Sequence, residues 1–512
     1  MAKKIALISL CAGLTIAVAA EWPTDGGDPQ RTGWQKNETI LNKANVKGMK
    51  LLWSLKLDNA PREMHSLLPP VIVENVPTRE GKKEIAIVAG SGDNVYGIDV
   101  ATGKQLWKKH YPYTSDKEPR LGGPLCPGGL VVTPTIGLPR ANGARTAYSV
   151  SGDGMMHFLN VADGEDVEPP AKFMPANGKA YSLNLVNNVL YSTTAQGCGG
   201  NPNLMYSFDL ATKKVTTYNP KGGGLWGRSG AAIGFDGTVY APTGDANYVP
   251  AEERYGNLII AVTPDLKYKD HYAPRNIEFL WKRDLDAQVT PAVFNWKGKE
   301  YVVSTCKECR VWLMDSKSLG GADHQTPVYR TPLMCNEDVN FAEAGVWGSM
   351  GTWENPAGVR YILTGFWGPV HPNFKPPLSY GPVKRGAVAA HKMEEKNGKV
   401  VLTPVWISRD MDQAEPPVIA NGVVYAYGSG ESNVQSTAEI GLAANTSANR
   451  VKNSKHATIY ALDGDTGKEL WNSGDAIKSF VHFGGLSINN GRVYLGAYDS
   501  TLYVFGLPGA NK

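Results

Sequence analysis

Gly97-Ile-Asp-Val-Ala-Thr-Gly-Lys-Gln-Leu-Trp107 and Ala461-Leu-Asp-Gly-Asp-Thr-Gly-Lys-Glu-Leu-Trp471 are one eleven-residue phrase written twice, at opposite ends of the chain. Asp, Thr-Gly-Lys and Trp hold identical offsets in both copies. An acidic residue closing a strand, a Gly-centred turn and a second strand make a hairpin unit, and its recurrence at long period marks a repeat architecture. Versions of the unit occupy residues 95–107, 156–164, 204–212, 258–266, 311–320, 387–392, 459–471 and 501–506, eight in all. Alternating strands ahead of a turn lie between them, such as Gly237-Thr-Val-Tyr-Ala241, Asn421-Gly-Val-Val-Tyr425 and Asn490-Gly-Arg-Val-Tyr-Leu495. The six intervals from Asp99 to Asp463 average about 60 residues, room for a four-stranded blade and its loops. The expected fold is therefore all-β: an eight-bladed β-propeller of four-stranded antiparallel blades spanning residues 21–512 as one domain. Leu51-Leu-Trp-Ser-Leu-Lys56 is expected to supply an early strand that closes the ring, because closure removes exposed edges. Asp99, Trp107, Asp463 and Trp471 read as residues that lock blades together. Residues 431–455, polar and without strand pattern, read as a long mobile loop, and residues 336–384, rich in Gly, Pro and Trp, as a cap-like insertion over one face.

The first residues read as a secretory signal peptide cleaved after about Ala20. Lys3 and Lys4 precede a largely apolar run from Ile5 to Ala19, and Val18-Ala-Ala20 is a small-residue cleavage site. Leu10 is too large to precede a lipidated Cys11, which argues against an anchor there. No later segment has the roughly 20 apolar residues of a membrane span, so the expected location is periplasmic or secreted, with no transmembrane segment. The formal charge is +4, and +2 without Lys3 and Lys4, which gives no ground for a nucleic-acid partner. Five cysteines remain: Cys126, Cys198, Cys306, Cys309 and Cys335. An odd number leaves one thiol over, and Cys306/Cys309, the close pair, reads as a staple across a turn.

The repeat spacing and an ordered run of strings resemble the quinoprotein alcohol dehydrogenases, eight-bladed propellers that hold pyrroloquinoline quinone (PQQ) and a metal ion. Gly222-Gly-Gly-Leu-Trp-Gly227 is similar to the family's Gly-rich string. The resemblance implies that Trp226 is the rigid aromatic floor on which the quinone stacks. Tyr240-Ala-Pro-Thr-Gly-Asp-Ala246 resembles a strand whose last position is a metal ligand, here Asp245 instead of Asn. A carboxylate is a hard oxygen donor, suited to calcium or a lanthanide. Arg283-Asp-Leu-Asp-Ala287 is similar to the family's Asp-x-Asp string. That likeness implies a catalytic base at Asp284, which also borders the metal, and a further metal ligand at Asp286. Two carboxylates at i and i+2 on an extended segment can share a cation and would repel without one. Thr305-Cys-Lys-Glu-Cys-Arg310 resembles the strand–turn–strand that presents a cation to the quinone oxygens, which falls on Lys307.

The chain also departs from that pattern. The family's adjacent Cys-Cys pair has no counterpart near Leu125-Cys126, and the Arg that pairs a quinone carboxylate is missing. No Glu stands near Gln196 to ligate the metal, and Val346 replaces the Asn before Trp347. No haem-attachment motif is present, so electrons would pass to an external acceptor such as a cytochrome c. The expected activity is oxidation of an alcohol or other hydroxylated compound with PQQ and calcium or a lanthanide ion. The alternative is a cofactor-free propeller of the same repeat type acting as a protein-binding or assembly scaffold.

Overall fold

The computed structural model describes residues 20–112, 125, 126, 129, 132–432, 441, 444 and 446–509. The expected leader, with Cys11, falls largely outside them.

Eight mainly antiparallel sheets of four or five strands follow one another along the described chain, with a two-stranded ribbon, Tyr248–Val249 and Arg254–Tyr255, beside them. The first contains the strands Val71–Thr78, Gly81–Gly90, Asn94–Asp99 and Lys104–His110. The innermost strands touch in cyclic order: those starting at Val71, Thr135, Asn184, Ala232, Ala292, Gly351, Val418 and Leu486, and then Val71 again. The molecule is thus an eight-bladed propeller, as expected. Each of the eight repeat units falls on the third strand of a blade, and six of them run on into the turn that follows it. The eighth blade takes its outermost strand from the start of the chain, where Lys50–Lys56 pairs with Thr501–Gly506. That is the expected closure, and it joins the two ends of the sequence in one sheet.

The repeated phrase is a docking device between blades. Trp107 Nε1 donates to Val161 O of the next blade at 2.9 Å, and Trp53 Nε1 donates to Val100 O at 3.1 Å. Trp406 and Trp471 make the same bond to Gly464 O and Met49 O. The indole lies flat against the Gly of the neighbouring turn. A Cβ on Gly103 would stand 2.7 Å from Trp53, one on Gly164 2.5 Å from Trp107, and one on Gly467 2.4 Å from Trp406. Those glycines also have positive φ, so the turn requires Gly for both its backbone conformation and its neighbour.

Residues 22–35 run around the axis and bond to every blade in turn. Trp22 exchanges backbone hydrogen bonds with Ile72, and Pro23 O accepts from Ile136 N. Thr24 Oγ1 donates to Leu183 O beside the third blade, and Pro29 O accepts from Ile233 N. Gln30 O accepts from Val293 N, Thr32 O from Thr352 N, and Gly33 O from Ile419 N. Trp34–Gln35 pairs in parallel with the seventh blade, and Gln35 Nε2 reaches Ile488 O of the eighth. Arg31, almost fully buried, holds the loop together by donating to Thr24 Oγ1 at 2.6 Å, to Asp25 O and to Leu183 O.

Three expectations are corrected. Cys309 bonds Cys335, with Cα atoms 5.4 Å apart, and Cys126 bonds Cys198. Cys306 is the free, buried thiol, so no staple joins Cys306 to Cys309. The geometry of a disulfide requires facing Cβ atoms, which sequence proximity does not supply. Residues 336–384 are not wholly a cap, because Gly351–Glu354 and Arg360–Trp367 are the first two strands of the sixth blade. Only the flanking stretches leave the sheet. Residues 431–455 are not wholly loop either, since Ser447–Asn453 is helical and buries Arg450 against Glu431. Residues 433–440, 442, 443 and 445 lie outside the described residues. No helix among the described residues is long and apolar enough to cross a membrane.

Two outcomes follow from this architecture. Arg31→Ala strands several buried carbonyls at the centre of the ring and should cost about 3 kcal/mol in urea titration. An unchanged urea midpoint would show that the axial segment does not hold the blades. In the chain from residue 21 onward, iodoacetamide should label Cys306 alone, and only after denaturation without reductant. Peptide mapping that finds Cys306 in a disulfide contradicts the pairing.

Candidate functional site

Above the axial segment lies a cavity of about 340 Å³, within the range of small-molecule sites. Its lining includes all five residues singled out from the sequence: Trp226, Asp245, Asp284, Asp286 and Lys307. They come from two adjacent blades and their connections, which explains why their order along the chain is also their order around the wall.

Trp226 sits where the Gly-rich string and the Thr-Gly-Asp string meet. Gly224 and Gly244 exchange backbone hydrogen bonds at 2.9 Å. A Cβ on Gly224 would come within 2.6 Å of the indole nitrogen of Trp226, and one on Gly244 within 2.9 Å. Both strings are therefore glycine-rich because backbone closes on the indole. Next to it, Arg228 is held by Asp25 of the axial segment, Glu415 and Gly484 O. The circuit of residues 22–35 thus reaches up into the cavity floor.

The acidic end is built around Lys307. Its Nζ donates to Asp286 Oδ2 at 2.9 Å and to Asp284 O at 2.9 Å, and lies 3.5 Å from Asp284 Oδ1. Asp286 Oδ1 accepts from Asp245 N at 3.0 Å. Carboxylate oxygens of Asp245, Asp284 and Asp286 all lie within 4.8 Å of one another. Asp284 closes the short helix Ile277–Lys282 in a left-handed conformation, with φ 54°, and not on the extended segment expected. Asp245 and Gln196, also on the cavity wall, have φ 62° and 68°. Strained backbone of this kind is tolerated where the surroundings fix a side chain in place.

Three carboxylates share one ammonium group here. Asp245 opens to the cavity but sits deep within it, and is pushed up to about 8, first by burial and then by the charges of Asp286 and Asp284. Burial likewise pushes Asp284 up to about 7, with Lys307 opposing and Asp286 adding to the shift. Asp286, the most buried, is raised by burial, but Lys307 outweighs this and holds it below the usual carboxylate range. The cluster is short of positive charge. Oxygens at these separations suit a cation such as calcium, which takes oxygen ligands at about 2.3–2.6 Å.

Polar atoms of residues that line the cavity lack partners among the described residues: Trp226 Nε1, Gln196 Oε1, Gln288 Nε2 and Trp347 Nε1. Buried polar groups are normally satisfied, so such a set around one cavity fits a polar ligand. The wall beside Lys307 is aromatic. Trp347 stacks on Trp367 with centroids 4.9 Å apart, and Lys307 Nζ lies 5.0 Å from the Trp347 ring. The Cys309–Cys335 bond ties this wall to the Lys307 turn, and Asn336 Nδ2 donates to Lys307 O at 2.7 Å. The second disulfide, Cys126–Cys198, anchors Leu125 at the rim.

Sequence reasoning missed Lys179 and Tyr181, which line the cavity beside Trp226. Lys179 stands in Asn177-Gly-Lys-Ala180, a string that reads as an ordinary turn and carries no signal of burial. Trp347 was seen only as the neighbour of a missing Asn.

Solved structures that share the eight-bladed fold include three alcohol dehydrogenases. The chain superimposes on the europium-containing methanol dehydrogenase with a TM-score of 0.60 at 14% identity, over 95% of this chain and 98% of the other. It superimposes on the quinohemoprotein alcohol dehydrogenase of Comamonas testosteroni with 0.58 at 15% identity, over 96% and 81%. For the quinohemoprotein alcohol dehydrogenase ADHIIG of Pseudomonas putida HK5 the values are 0.59 and 13%, over 96% and 81%. At these identities the likeness is one of fold. No protein-family model and no curated protein sequence matches the chain.

The acidic end predicts how stability varies with pH. The unfolded chain releases the Asp245 proton near pH 4, whereas the folded chain holds it to about pH 8. Between these values Asp245 binds more protons in the folded state, so its contribution to the stability of metal-free protein falls as pH rises from about 4 to about 8. Asp245→Asn should flatten that decline. Calcium should raise the melting temperature more at pH 8 than at pH 5, and equal or absent shifts at both contradict a cation site.

Proposed function

We propose that the chain is a PQQ- and metal-dependent oxidoreductase of alcohols or related hydroxylated compounds. The observation that carries the reading is the meeting, in one axial cavity, of an indole floor with three carboxylates around a lysine. The fold shared with quinoprotein alcohol dehydrogenases supports it. Trp226, together with Trp347, which also lines the cavity, would hold a planar quinone. Asp245 and Asp286, with Asp284 at the edge, would hold calcium or a lanthanide ion.

When bound, the quinone supplies a hydride acceptor and the ion a Lewis acid beside it. The chain's own groups supply the rest. Asp284 faces the cavity and in its ionised form accepts the hydroxyl proton of the alcohol. Lys307 keeps Asp286 ionised and orients Asp284 through its backbone carbonyl. The ammonium group is also a fixed positive charge beside a site where negative charge develops. Met64, Leu68, Leu125, Phe341, Trp347 and Phe483 give the cavity an apolar wall that limits water. Electrons then leave to a separate acceptor such as a cytochrome c, consistent with an exported chain and the absence of a haem motif.

Protein purified from residue 21 onward and incubated with PQQ plus calcium or lanthanum should retain about one quinone per chain by absorbance. It should then oxidise short alcohols with a dye acceptor. Asp284→Asn should keep the quinone and lose turnover by about 100-fold or more. Failure to retain quinone with either metal sinks the reading, and full turnover in Asp284→Asn removes Asp284 as the base.

A further inference from the structure

Lys179 begins the innermost part of the third blade and is 8% exposed. Its Nζ lies 5.2 Å from the centroid of the Trp226 ring, and the side chain lines the cavity. Among the described residues it makes no ion pair and no side-chain hydrogen bond. Its charged surroundings do not compensate it. The charge of Asp245 reaches it without an ion pair among the described residues, and Asp245 is itself short of a cation, while Arg450 adds a like charge. Arg450 and His482 are already engaged by Glu431, so that carboxylate is spent. Burial pulls Lys179 down to about 8, which still leaves it largely charged at neutral pH. A cation held away from water without a partner is costly, and a chain keeps one where a ligand supplies the partner.

The cavity is thus bipolar. Asp245, Asp284 and Asp286 make one end acidic, and Lys179 makes another part basic, with the Trp226 face beside both. We infer that Lys179 receives a carboxylate carried by a planar aromatic ligand that lies on Trp226. This deepens the quinone reading and rests on it for the ligand's identity, since PQQ is an aromatic tricarboxylate. The role also explains how the chain manages without the arginine that the resemblance led one to expect. An ammonium group accepts a carboxylate from many directions, where a guanidinium would demand a bidentate approach. Lys179 is a binding residue here, with no part in proton transfer.

The test uses Lys179→Met in the chain from residue 21 onward, with two probes followed by quenching of tryptophan fluorescence in calcium-containing buffer. One probe is PQQ and the other benzene-1,2,4-tricarboxylate, a redox-inert aromatic tricarboxylate. Lys179→Met should weaken whichever probe the wild type binds by about 10- to 100-fold. The ligand-free variant should melt at or above the wild-type temperature, because it removes a buried charge that has no partner. Binding of the tricarboxylate that depends on Lys179, with no binding of PQQ, would uphold this inference and sink the quinone reading. The inference is overturned if Lys179→Met binds both probes as tightly as wild type, if wild type binds neither, or if the ligand-free variant melts several degrees lower.

Discussion

Eight wedge-shaped sheets arranged around an axis leave a hole where their inner edges meet, and residues 22–35 fill it. This segment bonds to the inner strand of each blade, or to the residue beside it, from Trp22 on Ile72 to Gln35 on Ile488. Most of these bonds use backbone groups, which must find partners once they are buried. Arg31 pins the segment to itself and to the third and fourth blades. The channel therefore becomes a cup, open on one side, with a floor that rests on the segment. Asp25 reaches Ser182 and Arg228, so the base of the candidate site is continuous with the element that unites the ring. The outer rim is joined by a second device, the tryptophans of one blade lying on the glycine turns of the next.

Within that cup the charges are arranged at the expense of stability. A ring of apolar strands could close with no buried ions at all, yet the cavity keeps three carboxylates, Lys307, and Lys179, which has no ion pair among the described residues. The raised Asp245, which opens to the cavity, and the lowered, buried Lys179 are two expressions of one condition: each is poorly hydrated with too little opposite charge nearby. A cation at the first and an anion at the second would relieve both. The same reasoning accounts for the indole and amide groups on the walls that have no partner among the described residues, which a polar ligand would satisfy.

The outline of the ring was legible in the sequence because its determinants are local. Asp99, Gly103 and Trp107 lie within one hairpin, and their spacing survives in the seventh blade as Asp463, Gly467 and Trp471. The acidic half of the cavity was legible for a related reason: Trp226, Asp245, Asp284, Asp286 and Lys307 follow one another in short strings on adjacent blades. What was hidden depends on distant parts of the chain. Lys179 looks like a turn lysine until Trp226 and Arg450 are folded against it. Cys309 has Cys306 three residues away, but the turn points it at Cys335. The axial segment has no strand periodicity, since its bonds pass from one blade to the next, and it carries none of the repeat pattern.

The central claim is that this cup is a metal and quinone site, and the most direct measurement is anomalous scattering from a crystal grown with PQQ and a lanthanide. The account predicts one strong peak bounded by carboxylate oxygens of Asp245, Asp284 and Asp286 at roughly 2.3–2.6 Å, with planar density on Trp226 beside it. A peak elsewhere on the molecule, with the three carboxylates bare and nothing on the indole, would contradict it.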